Sequence, residues 1–466
     1  MKAPTSTDHV TLRPGAYADS VALLQVSRDV QAVTGVVTAQ VAMATALNLE
    51  VITGLGFDVP SEATANDMVV AIRVDDDSVL DQALAAVDRG LTPTRSSGSA
   101  REAEPHRTTG SALRDGPGLV LISVPGGSAL VEAMDALDAG SDVMVFSDNV
   151  PLEQEVALKQ IAAERGLLVM GPDCGTAVVD GVGLGFANAT EPGPVGIVAA
   201  SGTGCQQVLA LLDHAGVGVT SALGVGGRDL SAEVGGRSTM EALRRLDTDD
   251  RVELILVVSK PAAPEVAALI EEYAGSLSTP VELALLGPGQ PDLTSAVTRV
   301  LERLDVEAPD WPVDGGAAAG EGGLVRGLFV GGTNCQEAQI VVESLDPREH
   351  TFIDFGDDAY TQGRAHPMID PTLRLEEVRR AAADPGTGVL LLDVVLGHGA
   401  EPDPATALAP VITDADVPVV VTVVGTRLDP QDRERQVRVL AEAGAEVHLS
   451  NAGAARRAVE LAGGVR

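Results

Sequence analysis

The chain carries one pentapeptide pattern twice, as Gly202-Thr203-Gly204-Cys205-Gln206 and as Gly332-Thr333-Asn334-Cys335-Gln336. An apolar run precedes each copy, at residues 195–200 and 324–330, and a helical pattern follows it. Each copy therefore predicts a buried strand, a glycine turn and the first turn of a helix. Such a helix start presents unpaired backbone N–H groups and the positive end of a dipole, which favour a bound anion. The sequence thus predicts a duplicated unit that handles anions.

The duplication continues beyond the two pentapeptides. A second apolar run follows in each copy, at residues 254–258 and 389–396, and a third ends in glycine, at residues 280–287 and 417–425. Continuous apolar runs that alternate with helical patterns indicate parallel strands covered by helices on both faces. The alternative is that Gly-Thr turns are common in any doubly wound fold, but the shared Cys-Gln and the similar spacing favour duplication.

The composition restricts the classes of partner. The 466 residues carry a formal net charge of −35, from 67 acidic and 32 basic side chains. An acidic surface disfavours nucleic acid and anionic membranes, although a saline host would select the same composition. We find no export signal and no apolar run of about 18 residues, so we expect a cytoplasmic protein. The three cysteines have no metal-ligand spacing, so we expect reduced thiols and no metal site.

Changes in pattern divide the chain into four structured regions. Residues 1–91 alternate strands and helices and predict a small α/β domain, for which a ferredoxin-like arrangement is one option. Residues 92–117 and 304–323 are rich in small and turn-forming residues and are predicted as linkers. The remaining regions are a Rossmann-like domain at 118–192, a first repeat at 193–303 and a second repeat at 324–466. The predicted fold class is α/β, with a flavodoxin-like parallel sheet in each repeat.

Turns rich in glycine and polar residues follow the strands predicted in residues 118–192. Because the carboxyl ends of parallel strands meet at one edge of a sheet, these turns should line a ligand crevice. The cofactor-binding candidates are Pro125, Gly126, Gly127, Gly171, Pro172, Asp173 and Cys174. For Asp173 and Cys174, the alternative is that they only shape the turn.

Three stretches resemble the α subunit of succinyl-CoA synthetase, whose CoA-binding half and ligase half they match in order and spacing. They are Val124-Pro125-Gly126-Gly127, Gly171-Pro172-Asp173-Cys174-Gly175 and Gly196-Ile197-Val198-Ala199-Ala200-Ser201-Gly202-Thr203. The resemblance implies a CoA-binding-type domain at 118–192 and a ligase domain at 193–303. The second repeat resembles the C-terminal domain of the β subunit, with residues 352–358 in place of its glycine-rich strand end. Both parts in one chain, behind an extra N-terminal domain, resemble the FdrA family of acyl-CoA-synthetase-like proteins. Residues 363–371 and 397–404 look typical of that family.

Two departures from succinyl-CoA synthetase bear on the mechanism. In that enzyme a histidine is phosphorylated, and it follows the strand equivalent to residues 280–286. Here residues 285–291 read Leu-Leu-Gly-Pro-Gly-Gln-Pro and contain no histidine. The acidic residue that orients this histidine is replaced by Ser259-Lys260, and the chain has no room for an ATP-grasp domain. We therefore do not expect a phosphohistidine relay driven by bound ATP within this chain.

The resemblance implies that two helix N-termini face a common phosphate. The phosphate-binding candidates are Ser201, Gly202, Thr203 and Gly204 in one repeat and Gly331, Gly332, Thr333 and Asn334 in the other. Each helix dipole would stabilise a bound anion by about 0.3 to 2 kcal/mol. Lys260, the one lysine between positions 160 and 466, would add a full counter-charge. The alternative for Lys260 is a solvated side chain at a strand end.

The general acid–base candidates are His366 and His398, which lie on loops rich in glycine and proline. A histidine near its ordinary pKa could move an amide proton, and the alternative for each is a structural hydrogen bond in a turn. Arg364 could clamp a substrate carboxylate, although arginine is abundant in this chain. Cys205 and Cys335 lie in helix first turns, where a thiol pKa can fall, but simple packing is the favoured interpretation.

The family resemblance implies carbamoyl transfer in allantoin breakdown, in which phosphate cleaves oxalurate into oxamate and carbamoyl phosphate. The ligands would then be small anions, and CoA is a candidate cofactor. Two alternatives stay open: an acyl-CoA synthetase component that uses CoA with an ATP-grasp partner, and a non-catalytic regulatory or scaffold subunit. We expect other protein subunits, a homo-oligomer or both as partners.

Overall fold

The computed structural model describes residues 6–16, 18, 20–92, 106–318, 320, 322–361 and 365–463. The chain forms two compact units. The first comprises Met1–Ala103 and Gly356–Leu373, and the second comprises Glu104–Phe355 and Arg374–Arg466. The first unit thus includes a segment from within the second predicted repeat. No helix in the described ranges is both long and apolar enough to pass through a membrane.

A three-stranded antiparallel sheet forms the centre of the first unit. Its strands are β1 (Thr7–Arg13), β2 (Val36–Met43) and β3 (Met68–Val74). Its helices are α1 (Ser20–Gln31), α2 (Ala46–Gly54), α3 (Leu80–Leu91) and the single turn α12 (Asp358–Thr361). The strand order is β1-β3-β2, so the most apolar strand is central.

Both faces of β3 are buried, which explains its unbroken apolar sequence. Val70 and Ile72 pack with residues of α1 and α3, whereas Val69 and Ala71 pack with Ile52 of α2. A complete ferredoxin-like βαββαβ arrangement has a fourth strand, and the described residues of this unit contain three. The ferredoxin-like arrangement therefore stays a prediction.

A small parallel sheet opens the second unit. Its strands are β4 (Leu119–Ile122), β5 (Asp142–Val145) and β6 (Val169–Met170), in the order β4-β5-β6. The accompanying helices are the single turn α4 (Thr109–Ala112), α5 (Gly126–Asp138) and α6 (Leu152–Arg165). A hairpin that the sequence analysis missed follows, made of β7 (Thr176–Val179) and β8 (Val182–Gly185). Its turn, Asp180-Gly181, has positive φ at both residues, which is the favoured geometry for a two-residue hairpin.

Each repeat builds a six-stranded sheet. The parallel strands of the first repeat are β9 (Val195–Ala200), β10 (Val219–Gly224), β11 (Leu254–Ser259) and β12 (Val281–Leu285). Those of the second repeat are β14 (Leu324–Phe329), β15 (Thr351–Asp354), β16 (Thr387–Val395) and β17 (Val419–Val424). The second sheet also contains β13 (Val313–Gly315) and β18 (Glu446–His448), and β7 and β8 extend the first.

The first four parallel strands of each repeat have the same order in the two sheets. The first has the order β12-β11-β9-β10-β7-β8 and the second has the order β13-β18-β17-β16-β14-β15. In each repeat, therefore, the first parallel strand lies between the second and the third, and the fourth lies beside the third.

Helices cover both sheets. In the first repeat they are α7 (Gly202–His214), α8 (Arg237–Asp247), α9 (Pro264–Ala274) and α10 (Leu293–Arg303). In the second they are α11 (Gly332–Leu345), α13 (Thr372–Ala383), α14 (Pro404–Thr413), α15 (Arg433–Glu442) and α16 (Asn451–Leu461). The predicted fold class and internal repeat are confirmed.

A buried ion cluster joins the Rossmann-like domain to the first repeat. Lys159 of α6 is fully buried, and its Nζ lies 2.8 Å from Asp229 Oδ1 and 2.9 Å from Glu155 Oε1. The same Nζ donates to the carbonyl oxygen of Val225 at 2.8 Å. Asp229 in turn accepts the N–H of Thr239 in α8 at 2.9 Å. Lys159 therefore bridges two buried carboxylates from different domains, and Arg228 also pairs with Glu155, at 2.8 Å.

We expect Lys159→Met to lower the free energy of unfolding by about 3–5 kcal/mol, because it leaves the buried carboxylate of Asp229 without its counter-charge, whereas Glu155 keeps its ion pair with Arg228. The control is Arg165→Ala on the same helix, which removes an exposed ion pair with Asp138 and should cost less than about 1 kcal/mol. Urea unfolding followed by circular dichroism measures both. Equal losses in the two variants would contradict the structural role of Lys159.

Candidate functional site

Helix α7 begins directly after the buried strand β9. Ser201 is its N-cap, and the Oγ of Ser201 accepts the backbone N–H of Gly204 at 3.0 Å. The N–H groups of Gly202 and Thr203 have no hydrogen-bond partner in the described part of the chain. The first turn of this 13-residue helix therefore presents two unpaired donors and the positive end of a dipole.

Helix α11 begins in the same way after β14, but no side chain caps it, and a carboxylate from another strand binds the two residues that precede its first turn. Asp393 of β16 is fully buried, and it accepts the N–H groups of Val330 and Gly331 at 2.8 and 3.0 Å. The side-chain Nδ2 of Asn334 donates to the same carboxylate at 3.2 Å. Burial raises the pKa of Asp393, and Arg374, 3.3 Å away, opposes that shift. A carboxylate therefore lies behind this N-terminus and offsets part of its dipole.

The two helix N-termini meet. The Oγ of Ser201 lies 2.6 Å from the Oγ1 of Thr333, and the N–H of Thr333 donates to the Oγ1 of Thr203 at 3.3 Å. Gly331 permits this approach, because a Cβ there would lie 3.0 Å from the Cβ of Thr203 and 2.8 Å from the Asp393 carboxylate. The structure thus brings the predicted phosphate-binding residues of both repeats together in the second unit. That they bind phosphate stays a prediction.

Lys260 and Asp354 border the first residue of α11. A Cβ on Gly332 would lie 3.3 Å from the Nζ of Lys260 and would collide with the Asp354 carboxylate. The Nζ of Lys260 is half-buried and has no ion pair or hydrogen bond among the described residues. The N–H of Gly332 likewise has none in those ranges. We call this group, made of the first turns of α7 and α11 with Lys260 and Asp354, the cradle.

The other predicted catalytic residues are not part of the cradle. His398 is exposed after β16, its N–H donates to the carbonyl oxygen of Ala187 at 2.9 Å, and no hydrogen bond within the described ranges joins it to α7 or α11. His366 belongs to the first unit, and its Nδ1 accepts the N–H of Met368 at 3.2 Å. Burial lowers the pKa of His366 to about 4, so the imidazole is neutral at pH 7. Arg364 lies outside the described residues.

Burial decides the protonation of the cysteines. It raises the pKa of Cys205 to about 12, although Cys205 lies in the first turn of α7. Burial also raises the pKa of Cys335, and the nearby carboxylates of Asp354 and Asp393 add to that shift. The raised pKa values oppose the alternative of a reactive thiol at these helix starts and agree with the favoured interpretation, simple packing. Both cysteines are protonated side chains that pack in the interior.

The start of helix α5 is the first of the turns predicted to line a crevice in the Rossmann-like domain. Gly126 lets this helix pack on the loop after β5, because a Cβ there would collide with the backbone of Asp148 and Asn149. A Cβ on Gly127 would meet no described atom within 4 Å, so this helix start is open to a ligand. The backbone N–H groups of Gly126 and Gly127 at this helix start would suit a phosphate group. That Pro125, Gly126 and Gly127 bind CoA stays a prediction.

The other cofactor-binding candidates form a tight turn after β6. The Gly171–Pro172 peptide bond is cis, and Asp173 has a φ of 57°. The N–H of Asp173 donates to the carbonyl oxygen of Ser147 at 3.0 Å, and that of Cys174 donates to Val145 at 3.1 Å. Cys174 itself is buried. These contacts support the alternative that Asp173 and Cys174 shape the turn.

Three residues of this region have no role predicted from the sequence. The sequence could have pointed to Asp393, because a lone carboxylate in a continuous apolar strand needs buried hydrogen-bond or ion-pair partners. Arg374 supplies one, and it also donates to the carbonyl oxygen of Leu328 at 2.8 Å. Asp354 gave no comparable signal, because it meets Gly332 only through the folding of two neighbouring strand ends.

Comparisons with known proteins match two parts of the chain. A family model described as CoA-ligase matches residues 328–461, and one described as AllF, heavy metal-associated domain, matches residues 5–107. The chain is 36% identical to the Escherichia coli (strain K12) protein described as Uncharacterized protein YahF, over 93% of this chain and 95% of that protein.

Two partial similarities concern CoA enzymes. The chain is 30% identical to the ADP-forming succinate–CoA ligase subunit alpha 2 of Archaeoglobus fulgidus, over 34% of this chain and 56% of that subunit. A solved structure of dinucleotide-forming acetyl-coenzyme A synthetase 1 from Ca. Korarchaeum cryptofilum gives a TM-score of 0.33 at 14% identity. That alignment covers 78% of this chain and 88% of the synthetase chain.

Residues 5–107 do not fit a site for a soft heavy metal. They contain no cysteine and two histidines, His9 and His106, whereas soft metals select thiolate ligands. In the described ranges no group of three or more histidine, cysteine, aspartate or glutamate side chains is placed to hold a metal ion. We therefore derive no step from a bound metal.

A buried carboxyl group lies one position beyond the pentapeptide in α11. Glu337 is 1% exposed, and burial raises its pKa to about 7. Its oxygens accept the N–H of Leu293 at 2.7 Å and the Nδ2 of Asn451 at 2.8 Å, both of which oppose the shift. Asp292 and Arg456 are the charged groups that act on Glu337, with opposite effects.

We expect Glu337 to make stability depend on pH. The folded protein holds the Glu337 proton more tightly than the unfolded chain, whose carboxyl has a pKa of 4.5. This contribution is therefore complete below pH 4.5 and is lost as the pH rises through about 7. Glu337→Gln should flatten the Tm profile between about pH 5 and 8. The control Glu343→Gln, at the exposed end of α11, should keep the wild-type profile.

Proposed function

This chain belongs to the family of the Escherichia coli protein YahF, and we propose that it is the phosphate-handling subunit of an oxamate carbamoyltransferase. It is an acyl-CoA-synthetase-like protein with a CoA-ligase domain. In the proposed reaction, phosphate attacks oxalurate and releases oxamate and carbamoyl phosphate. The ligands of the site are then small anions that carry phosphate, carboxylate or carbamoyl groups.

The observation that carries this proposal is the cradle. Ser201 and Thr333 bring two helix N-termini into contact, and the Nζ of Lys260, which has no ion pair with any described residue, lies beside them. An ammonium group and backbone N–H donors that have no partner within the described ranges together suit an anion of two negative charges. Donors fixed by the fold before the ligand binds stabilise charge without reorganisation, which is the requirement for handling a phosphoryl group.

The proposed reaction balances without a nucleotide or a metal. A phosphate oxygen forms a bond to the carbamoyl carbon of oxalurate, and the bond from that carbon to the amide nitrogen breaks. The proton of hydrogen phosphate ends on the nitrogen of oxamate. The energy of the broken amide bond is kept in the mixed anhydride, so the reaction needs no phosphorylated histidine. The absence of histidine from residues 285–291 is consistent with this chemistry.

A second candidate function is an acid–thiol ligase component. The match of residues 328–461 to the CoA-ligase model favours it, as does the open start of α5. Such a component would need an ATP-grasp partner chain.

A third candidate, a non-catalytic regulatory or scaffold subunit, predicts that the cradle binds no substrate. We propose that other protein subunits or further copies of this chain complete the enzyme.

A thermal-shift panel with the purified chain separates these candidates. We expect phosphate and carbamoyl phosphate to raise the Tm, since a ligand at 100 times its Kd adds about 2.7 kcal/mol of stability. A rise with CoA but not with phosphate would favour the ligase component instead. No rise with any of these ligands would contradict the proposal that this chain holds the anion.

Lys260→Ala tests the counter-charge. We expect it to weaken phosphate binding by about 10- to 100-fold, the usual range for a hydrogen bond to a charged group. Lys260→Arg keeps the charge and should retain most of the affinity. Calorimetric titration with phosphate at low salt measures all three proteins. An unchanged Kd in Lys260→Ala would show that Lys260 is only a solvated strand-end residue.

A further inference from the structure

A cavity of about 260 Å³ lies between helix α11 and the residues that follow β12. Residues between Leu286 and Asp292 line one side, Glu337 and later residues of α11 line another, and Arg456 of α16 borders it. We call it the α11 cavity. None of the described residues that line it belongs to the cradle. Its volume suits a ligand smaller than a drug-sized molecule, which occupies about 300 to 1,000 Å³.

Arg456 supplies charged donors to the α11 cavity. Its side chain is 49% exposed, and its Nη2 donates to the carboxylate of Asp292. The other N–H groups of this guanidinium have no partner in the described part of the chain. Asp292 is fully engaged, because its second oxygen accepts the N–H of Ser295 at 2.7 Å. The cavity therefore has spare charged donors, whereas the carboxylate beside them already has its partners.

Glu337 adds a carboxyl group that carries a proton near neutral pH. Burial raises its pKa to about 7, so about half of the molecules hold this proton at pH 7. Both oxygens of Glu337 already accept N–H groups, from Leu293 and Asn451. The O–H of the protonated carboxyl has no acceptor among the described residues, and a buried donor without an acceptor is costly. An oxygen atom of a ligand in the cavity would supply that acceptor.

The fold does not require a carboxyl group at this position. Gln207 is the equivalent of Glu337 in the first repeat, because each residue follows the Cys-Gln pair of its pentapeptide. Gln207 is also fully buried, and its amide donates to the carbonyl oxygen of Leu449 at 2.9 Å. A neutral amide therefore suits the same place in the duplicated framework, so packing alone does not explain the titratable group of Glu337.

We propose that the α11 cavity binds a small carboxylic acid with a short apolar chain. The carboxylate of this ligand accepts the N–H groups of Arg456 and the O–H of Glu337. Its chain packs on the apolar side chains that α11 contributes, which are Ile340, Val341 and Leu345. A phosphate dianion suits the cavity less, since the negative charge of Asp292 lies beside the same donors. This site is separate from the cradle and does not depend on the proposed function.

Butyrate is the probe for this site, and saturation-transfer NMR with the purified full chain measures its Kd. We expect saturable binding at pH 6, and at least about tenfold weaker binding of butanamide, which has no negative charge. Lys260→Ala, which changes the cradle, should leave the Kd of butyrate unchanged. No binding of butyrate, equal binding of butanamide, or loss of butyrate binding in Lys260→Ala would overturn the proposal.

The pH dependence of this Kd tests Glu337. The protonated fraction of Glu337 falls from about nine-tenths at pH 6 to about one-tenth at pH 8, so the Kd should rise about tenfold. The charged groups that act on Glu337 are Asp292 at the start of α10 and Arg456 of α16, and neither side-chain type titrates in this range. In Glu337→Gln the Kd should change less than about twofold between the same pH values. A pH-independent Kd in the wild-type chain, or a tenfold rise in the variant, would contradict the role of Glu337.

Two variants with matched controls test the walls of the cavity. Arg456→Gln should weaken butyrate binding at least about tenfold, whereas Arg303→Gln removes a similarly exposed arginine, 47% against 49%, and should not. Leu345→Asp places a negative charge on the apolar wall and should also weaken binding about tenfold. Its control is Leu269→Asp on α9, since the two leucines are 44% and 42% exposed.

Leu345→Asp changes a surface residue, so it decides the matter if Arg456→Gln misfolds. Unchanged affinity in both cavity variants would overturn the proposal, and so would equal losses in the cavity variants and their controls.

Discussion

Two helices meet here by their positive ends, and the rest of the second unit is arranged around that contact. Each N-terminus carries about half a positive charge, so the hydrogen bond between Ser201 and Thr333 joins groups that repel each other. At α11 the fold offsets this repulsion with the buried carboxylate of Asp393. At α7 the cap is only the neutral hydroxyl of Ser201. The positive electrostatic potential that no carboxylate offsets therefore lies at the N-terminus of α7, where a bound anion would neutralise it.

The first turn of α11 is held by polar contacts from several elements, which fixes the donors before any ligand arrives. Asp393 of β16 accepts the N–H of Val330 at the end of β14. Arg374 of α13 pairs with that carboxylate and also donates to the carbonyl oxygen of Leu328. Asn451 of α16 donates to the carbonyl oxygen of Asn334 at 2.9 Å and to Glu337 at 2.8 Å. Buried networks of this kind stabilise one geometry because each unmade bond would be costly. The fold thus supplies rigidity where the proposed chemistry requires it.

The sequence predicted the parts of this structure that depend on local patterns. The apolar runs predicted the parallel strands. The repeated pentapeptide predicted both helix starts and showed that they occupy equivalent positions in the two repeats. The hairpin at Asp180-Gly181 was missed although it carries a recognisable turn signal. Other features needed the fold itself. The burial that raises the pKa of Cys205 overrides the effect of its helix position. Likewise, Asp354 reaches Gly332 only because β14 and β15 are neighbours in the sheet.

Because one chain carries both helix starts, diluting the protein does not separate the two halves of the cradle. If the two helix starts lay on separate chains, the cradle would exist only while those chains stayed associated. Here the repeats are covalently linked, and the contact between Ser201 and Thr333 is intramolecular. Its halves meet at an effective concentration set by the chain, whatever the amount of protein present. The two halves also cannot be produced in unequal numbers, so the stoichiometry of the cradle is fixed at translation.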